Sequence, residues 1–290
     1  MSLKDLTRLD GRPSRSPGPL RRIAGRAVSA VFVIAVTAFF LVPMLWLLTA
    51  PFSYVSSFTV SISEPTLKNF ADLFHNPYTG SSLLNSAIYS LGSVVIVVGC
   101  AALAGYALSR ARVPGRNLIL LVLLLLSSVV TGSAAIVPLY FIAFNLHLID
   151  TIPGVVLVMA GGLLPAAIFI LKDFMDLVPA SYEESARVFG ASPFQILRDV
   201  VAPVVRPGIA VIAVWTFVSA WGNFLIPFII VRNPSLAPAA VQIFSFQTSG
   251  GQTVLRTAAA FALLYSLPVV VLYLIVARRY GFRFYGGIKA

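Results

Sequence analysis

Apolar positions along the chain gather into uncharged windows of some twenty residues or more, separated by segments that are polar, basic or rich in proline and glycine. A helix of that length crosses a hydrocarbon core of about 30 Å. The windows fall at 27–50, 83–108, 118–142, 153–171, 208–231 and 257–277. They predict an all-α integral membrane protein with six transmembrane helices, and an even number of spans places both termini on one side. The first window follows Arg21, Arg22 and Arg26, as a secretory signal would. It runs from Ala27 through Trp46 to Ala50, well beyond the 7–15 residues of a signal's apolar region, and shows no A-x-A cleavage pattern. It is therefore a retained first span. The basic tail 1–26 has too little apolar content to pack and is expected to be disordered.

Composition agrees with the pattern. The 290 residues are 58% hydrophobic and 11% charged, with mean hydropathy +0.92, whereas soluble domains carry about 25% charged residues. The formal charge of +11 changes the picture only through its placement. The tail 1–26, the loop 109–117, the loop 172–207 and the end 278–290 hold 18 of the 21 Lys and Arg residues, and the other side has Lys68, Arg232 and Arg256. Basic residues near span ends stay in the cytoplasm, so both termini are expected there. The charge is topological, and no nucleic-acid partner follows from it. One domain, 27–277, then carries a cytoplasmic loop at 172–207 and ends in a cytoplasmic tail at 278–290.

Several chemistries recede. Cys100 is the single cysteine and His75 and His147 are the two histidines, so no intramolecular disulfide and no conventional zinc or haem site is available. Cys100, beside Gly99 and Ala101, is expected to pack as a small residue, and the histidines to sit in solvated outer loops. No window contains an internal ionisable residue, which argues against a proton relay or voltage sensor. There is no phosphate loop, no H-E-x-x-H and no G-x-S-x-G, so the chain has neither its own ATPase nor a recognisable hydrolase site, and no catalytic residue or cofactor is assigned. Energy must come from elsewhere, or else the chain is a self-sufficient channel or facilitator. Dependence on an ATPase and ATP discriminates the two.

The loop 172–207 holds five of the ten acidic residues: Asp173, Asp176, Glu183, Glu184 and Asp199. Ser181 and Glu184 have capping-box spacing, predicting a helix from about Tyr182. Gly190 can take the left-handed conformation that ends it. Ser192, Pro193 and Gln195 form a second box, and Pro203 and Pro207 break the chain before span five. On this grammar alone the product is either an amphipathic surface hairpin or a docking element for a cytoplasmic partner.

The stretch Glu183-Glu184-Ser185-Ala186-Arg187-Val188-Phe189-Gly190-Ala191-Ser192, with Pro203 and Pro207 after it, resembles the EAA loop of the inner-membrane permeases of ABC importers. Ser185 stands for an alanine and Phe189 for an aspartate. Further similarity covers most of the chain after residue 65 and points to the sugar branch represented by the smaller permease of the maltose system. It is carried by Pro65 to Phe70, Asn85-Ser86, Gly105-Tyr106-Ala107-Leu108-Ser109-Arg110 with Gly115-Arg116, Leu148 to Thr151, and the basic end from Arg278 to Ala290. In span five Trp221-Gly222-Asn223-Phe224 stands where W-N-[DE]-F is usual. The resemblance implies a non-catalytic permease subunit in a prokaryotic inner membrane, importing a sugar or oligosaccharide. It implies a second related permease, two copies of a cytoplasmic ATPase that binds ATP and Mg, and an extracytoplasmic solute-binding protein. Coupling to the ATPase falls on Glu183, Glu184, Ala186, Gly190, Ala191 and Pro203.

Ser128, Thr131, Tyr140, Ser219, Trp221 and Asn223 are polar or amphipathic within apolar surroundings. A sugar needs hydrogen-bond partners for its hydroxyls and aromatic faces for its C–H surfaces, so these residues are candidates for its path. Interhelical packing explains them as well. The outer loop 232–256, with Pro234, Pro238, Gly250 and Gly251, is longer than a simple connection needs. It is either a connector or the surface that meets the binding protein.

Overall fold

The computed structural model describes residues 19–54, 60, 64–111, 114–130, 135–246 and 255–280. Among these the chain is helical throughout, with one isolated bridge between Ser53 and Pro65. The long elements are α1 (Pro19–Thr49), α3 (Tyr78–Arg110), α6 (Ile152–Asp176), α10 (Arg206–Trp221) and α13 (Leu255–Tyr280). Between them lie α2 (Lys68–His75), α4 (Arg116–Val130), α5 (Ile136–Asn145), α7 (Ala180–Val188), α8 (Pro193–Gln195), α9 (Ala202–Val204), α11 (Leu225–Ile230) and α12 (Ala239–Gln242). A π-helical turn, Ile196–Val201, joins α8 to α9.

Four of the expected spans are continuous helices long and apolar enough to cross a membrane: Ala27–Phe52, Tyr78–Arg110, Ile152–Asp176 and Leu255–Arg278. Of the other two, one is described only in part and one is interrupted. The window 118–142 is divided between α4 and α5, with residues 131–134 outside the described set. The window 208–231 stops at Trp221 and resumes at Leu225, around Gly222, which has neither side-chain packing nor helix propensity to hold the helix together. Two boundaries also move. Helix α1 begins at Pro19, inside the tail expected to be disordered, because Pro19 is suited to a first helical turn. Helix α3 starts at Tyr78 rather than near Asn85. At 33 residues it is about 50 Å long, so its ends project past a hydrocarbon core.

Helix α3 is the centre of the bundle, packed against α6 and α10. Close approach is possible because small residues line the contact. A Cβ at Gly105 would lie 3.2 Å from the backbone nitrogen of Lys172, and one at Gly92 would lie 3.1 Å from Val156. Val97, Ala101, Ala167, Leu171, Met175 and Ile212 fill the largest core cluster. By contrast α1 exposes apolar side chains such as Phe32, Ile34, Phe39 and Phe40, the pattern of a helix solvated by lipid. Cys100 is exposed, not packed as expected.

The loop expected at 232–256 is tied down in its first half. Asn85 Nδ2 donates to the carbonyls of Ser235 (2.8 Å) and Ala237 (3.3 Å). Tyr89 Oη donates to Leu236 O (2.7 Å), and the Ala239 amide donates to Ser86 Oγ (2.8 Å). Asp150 Oδ1 accepts from the amides of Arg232 (2.5 Å) and Asn233 (3.0 Å). The projecting polar turns of α3 thus satisfy backbone groups that a membrane interior could not.

Candidate functional site

The segment 177–205 folds as a helix, a glycine turn and a second helical limb at the end of the bundle that carries Arg110 and Arg116. Helix α7 starts at Ala180 behind Pro179, without a side-chain cap. The expected capping box at Ser181 and Glu184 is therefore not made. Pro179 presets the backbone two residues earlier than the box requires, which places Ser181 inside the helix, where its carbonyl accepts from Ser185 Oγ (2.9 Å). Gly190 has φ +82°. Its amide donates to Arg187 O (2.9 Å) and the Ala191 amide donates to Ala186 O (3.1 Å), the paired bonds of a Schellman ending. Ala186, Gly190 and Ala191 therefore build one turn. The second box is present: Ser192 Oγ accepts from the Gln195 amide (3.3 Å), and Gln195 Oε1 accepts from the Ser192 amide (2.7 Å). Pro203 lies in α9, and the limb Pro193–Val204 meets α10 at 83°, just before Pro207.

The two adjacent glutamates have different fates. Glu184 is exposed. Glu183 is 2% exposed and is held within the chain. Arg110 Nε donates to its Oε1 (2.5 Å), Tyr106 Oη donates to its Oε2 (3.1 Å), and Arg187 Nη2 lies 3.7 Å from Oε2. Arg110 Nη2 also donates to the carbonyls of Met175 (3.0 Å) and Val178 (2.6 Å). Expected as a surface contact, Glu183 is thus an internal anchor, because the helix turns that side chain inward onto α3. Arg110 and Tyr106 belong to the Gly105–Arg110 stretch but carried no assigned role. Their 65–77-residue separation from their partners leaves no local spacing signal.

Beside this anchor, Lys172 Nζ lies 2.6 Å from Asp176 Oδ2, Ser109 Oγ donates to Asp176 Oδ1 (2.5 Å), and Arg116 Nη2 lies 3.7 Å from Oδ2. The outward face of the hairpin is apolar: Phe189 is 90% exposed, Val188 84% and Phe194 62%. Its inward face, Ile196, Leu197, Val201 and Val205, joins the core beside Leu108, Leu171 and Met175.

The described candidate path residues have separate hydrogen-bond partners. Trp221 is buried, and its Nε1 donates to Tyr265 O (3.0 Å) while Tyr265 Oη donates to Trp221 O (2.8 Å). The pair stacks at 5.6 Å, so the Trp221 N–H is committed to α13. Asn223 Oδ1 accepts from the Ile226 amide (3.1 Å) and so opens α11. Tyr140 Oη accepts from Arg232 Nη2 (2.6 Å). Ser219 is partly exposed on α10. Thr131, and the side chain of Ser128, lie outside the described residues.

A bundle of apolar helices with an anchored polar hairpin at its basic end is the architecture of a membrane transport subunit. Residues 21–283 match the binding-protein-dependent transport system inner membrane component family, and the chain belongs to it. The trehalose transport system permease protein of Mycobacterium tuberculosis is 31% identical over 254 residues, 86% of this chain and 92% of its own. The maltodextrin transport system permease protein of Bacillus subtilis is 31% identical over 215 residues, 74% and 77% of the two chains. A chain of the bacterial ABC transporter that imports the acidic polysaccharide alginate shares the fold, with a TM-score of 0.78 at 20% identity over 91% of this chain and 99% of that one.

Proposed function

We propose that the chain is one of two related permeases in an ATP-driven importer of a sugar or oligosaccharide, and that it supplies half of the translocation path. In this reading it crosses the inner membrane six times, with the segments α4–α5 and α10–α11 as spans three and five and both termini in the cytoplasm. The charge asymmetry supports that orientation. A solute-binding protein delivers solute to the outer face, and two cytoplasmic ATPase subunits bind ATP and Mg and grip the hairpin of each permease. The names of the trehalose and maltodextrin relatives support the solute class.

The observation that carries the coupling assignment is the outward face of the hairpin. Val188, Phe189 and Phe194 are exposed on a segment whose inward face is fully packed, and Glu184 stands free beside them. An apolar cluster with a charged rim is what a protein partner covers. Glu184, Ala186, Gly190 and Ala191 present and shape this surface, while Pro203 helps set the second limb. Glu183 acts from beneath it. Co-purification tests the assignment: Phe194→Asp, on the same exposed face, should insert normally and lose the associated ATPase, and undiminished capture would remove the hairpin from the interface.

A further inference from the structure

We propose that Arg110 is a positioning residue that fixes the hairpin to α3 and α6, so that movement of the hairpin is delivered to those two helices. The proposal rests on the coupling reading above and adds the route by which force leaves the hairpin. Sequence order suggests another route, through α10, which directly follows the hairpin. The geometry disfavours it: the limb Pro193–Val204 meets α10 at 83°. The break falls at Val205, whose ψ of 11° leaves the helical conformation between the limb and α10.

Toward α3 and α6 the connection is of the opposite kind. Ile196, Leu197 and Val201 seat the hairpin against Leu108, Leu171 and Met175, but apolar contact is non-directional and allows sliding. Direction comes from one guanidinium. Arg110 is the last residue of α3, and it holds Glu183 of α7 through Nε (2.5 Å) while Nη2 holds the carbonyls of Met175 and Val178 (3.0 and 2.6 Å). Three segments are thereby fixed by one planar fork whose donors have set directions. Both oxygens of Glu183 are engaged, because Tyr106 on the preceding turn of α3 takes Oε2. Lysine could not reproduce the arrangement, since its single ammonium lacks the fork.

The test uses the assembled transporter in proteoliposomes and reads ATP hydrolysis and solute uptake separately. Arg110→Met keeps bulk and removes the fork; Glu183→Gln keeps shape and removes the charge. Each should retain the ATPase and hydrolyse ATP, while uptake per ATP falls several-fold. Arg110→Lys should not restore it. Because the two residues act through each other, Arg110→Met/Glu183→Gln should be no worse than the poorer single variant. Should Arg110→Met assemble poorly, the milder Glu183→Gln still reports the ratio. A wild-type ratio in either single variant, or losses that multiply in the double, would overturn the proposal. Failure of the coupling reading itself shows separately, as undiminished ATPase capture by Phe194→Asp.

Discussion

Substitution of Gly190 separates backbone strain from surface bulk. The residue sits at φ +82°, where an L-residue costs roughly 1–2 kcal/mol, and a Cβ built there meets nothing within 4 Å. Within the chain the whole penalty is therefore conformational. Alanine should disfavour the turn by about 1–2 kcal/mol, a factor of roughly 5–30 in its population. Asparagine, which tolerates this region, should cost less, and β-branched valine more. The strain is confined to the turn closed by Ala186 and Ala191, so all three variants should reach the membrane in normal amounts. ATPase capture and uptake should fall in the order Asn, Ala, Val. Wild-type uptake by Gly190→Val would show that the left-handed turn is not required. Equal losses for Asn and Val at equal abundance would refute the strain argument, since asparagine matches valine in bulk but not in conformational cost.

Gly208 admits no side chain, because a Cβ there would lie 2.5 Å from the Phe174 ring; Gly208→Val should destabilise the detergent-solubilised protein by about 1–3 kcal/mol, and an unchanged Tm would contradict the packing described. Asp176→Asn removes the ion pair with Lys172 (2.6 Å) and should lower the Tm of the detergent-solubilised protein, and an unchanged Tm would contradict the pairing. Trp221→Phe removes the bond to Tyr265 O and should lower stability by about 0.5–1.5 kcal/mol with solute affinity unchanged; selective loss of affinity would return Trp221 to the path. In a Cys100→Ala background, cysteines at 115 and 192 should label only from the cytoplasm and one at 80 only from outside, and labelling of residue 192 from outside would overturn the topology.

Much of the architecture was legible in local sequence because its causes are local. The long apolar windows that became α1, α3, α6 and α13 record the thickness of a bilayer, and Gly190, Ser192 and Gln195 record turn and cap chemistry. The Ser181 box failed for a reason that is also local: Pro179 starts the helix first. The interruption at 222–224 was not legible, since uncharged residues satisfy the length criterion whether or not the helix continues. Nor was the division of labour between Glu183 and Glu184. Which of two neighbouring glutamates turns inward depends on Arg110 and Tyr106, more than seventy residues away, and long-range polar partners leave no periodic trace. The bond from Trp221 to Tyr265 on α13 left no trace for the same reason.

The dependence of transport on a separate ATPase is the central claim. Proteoliposomes containing this chain with its partner permease, with or without the associated ATPase, binding protein and ATP, test it directly. The account predicts accumulation of solute only when all are present, and none from this chain alone. Equilibration of solute by the purified chain without ATPase or ATP would show a self-sufficient facilitator and contradict the account.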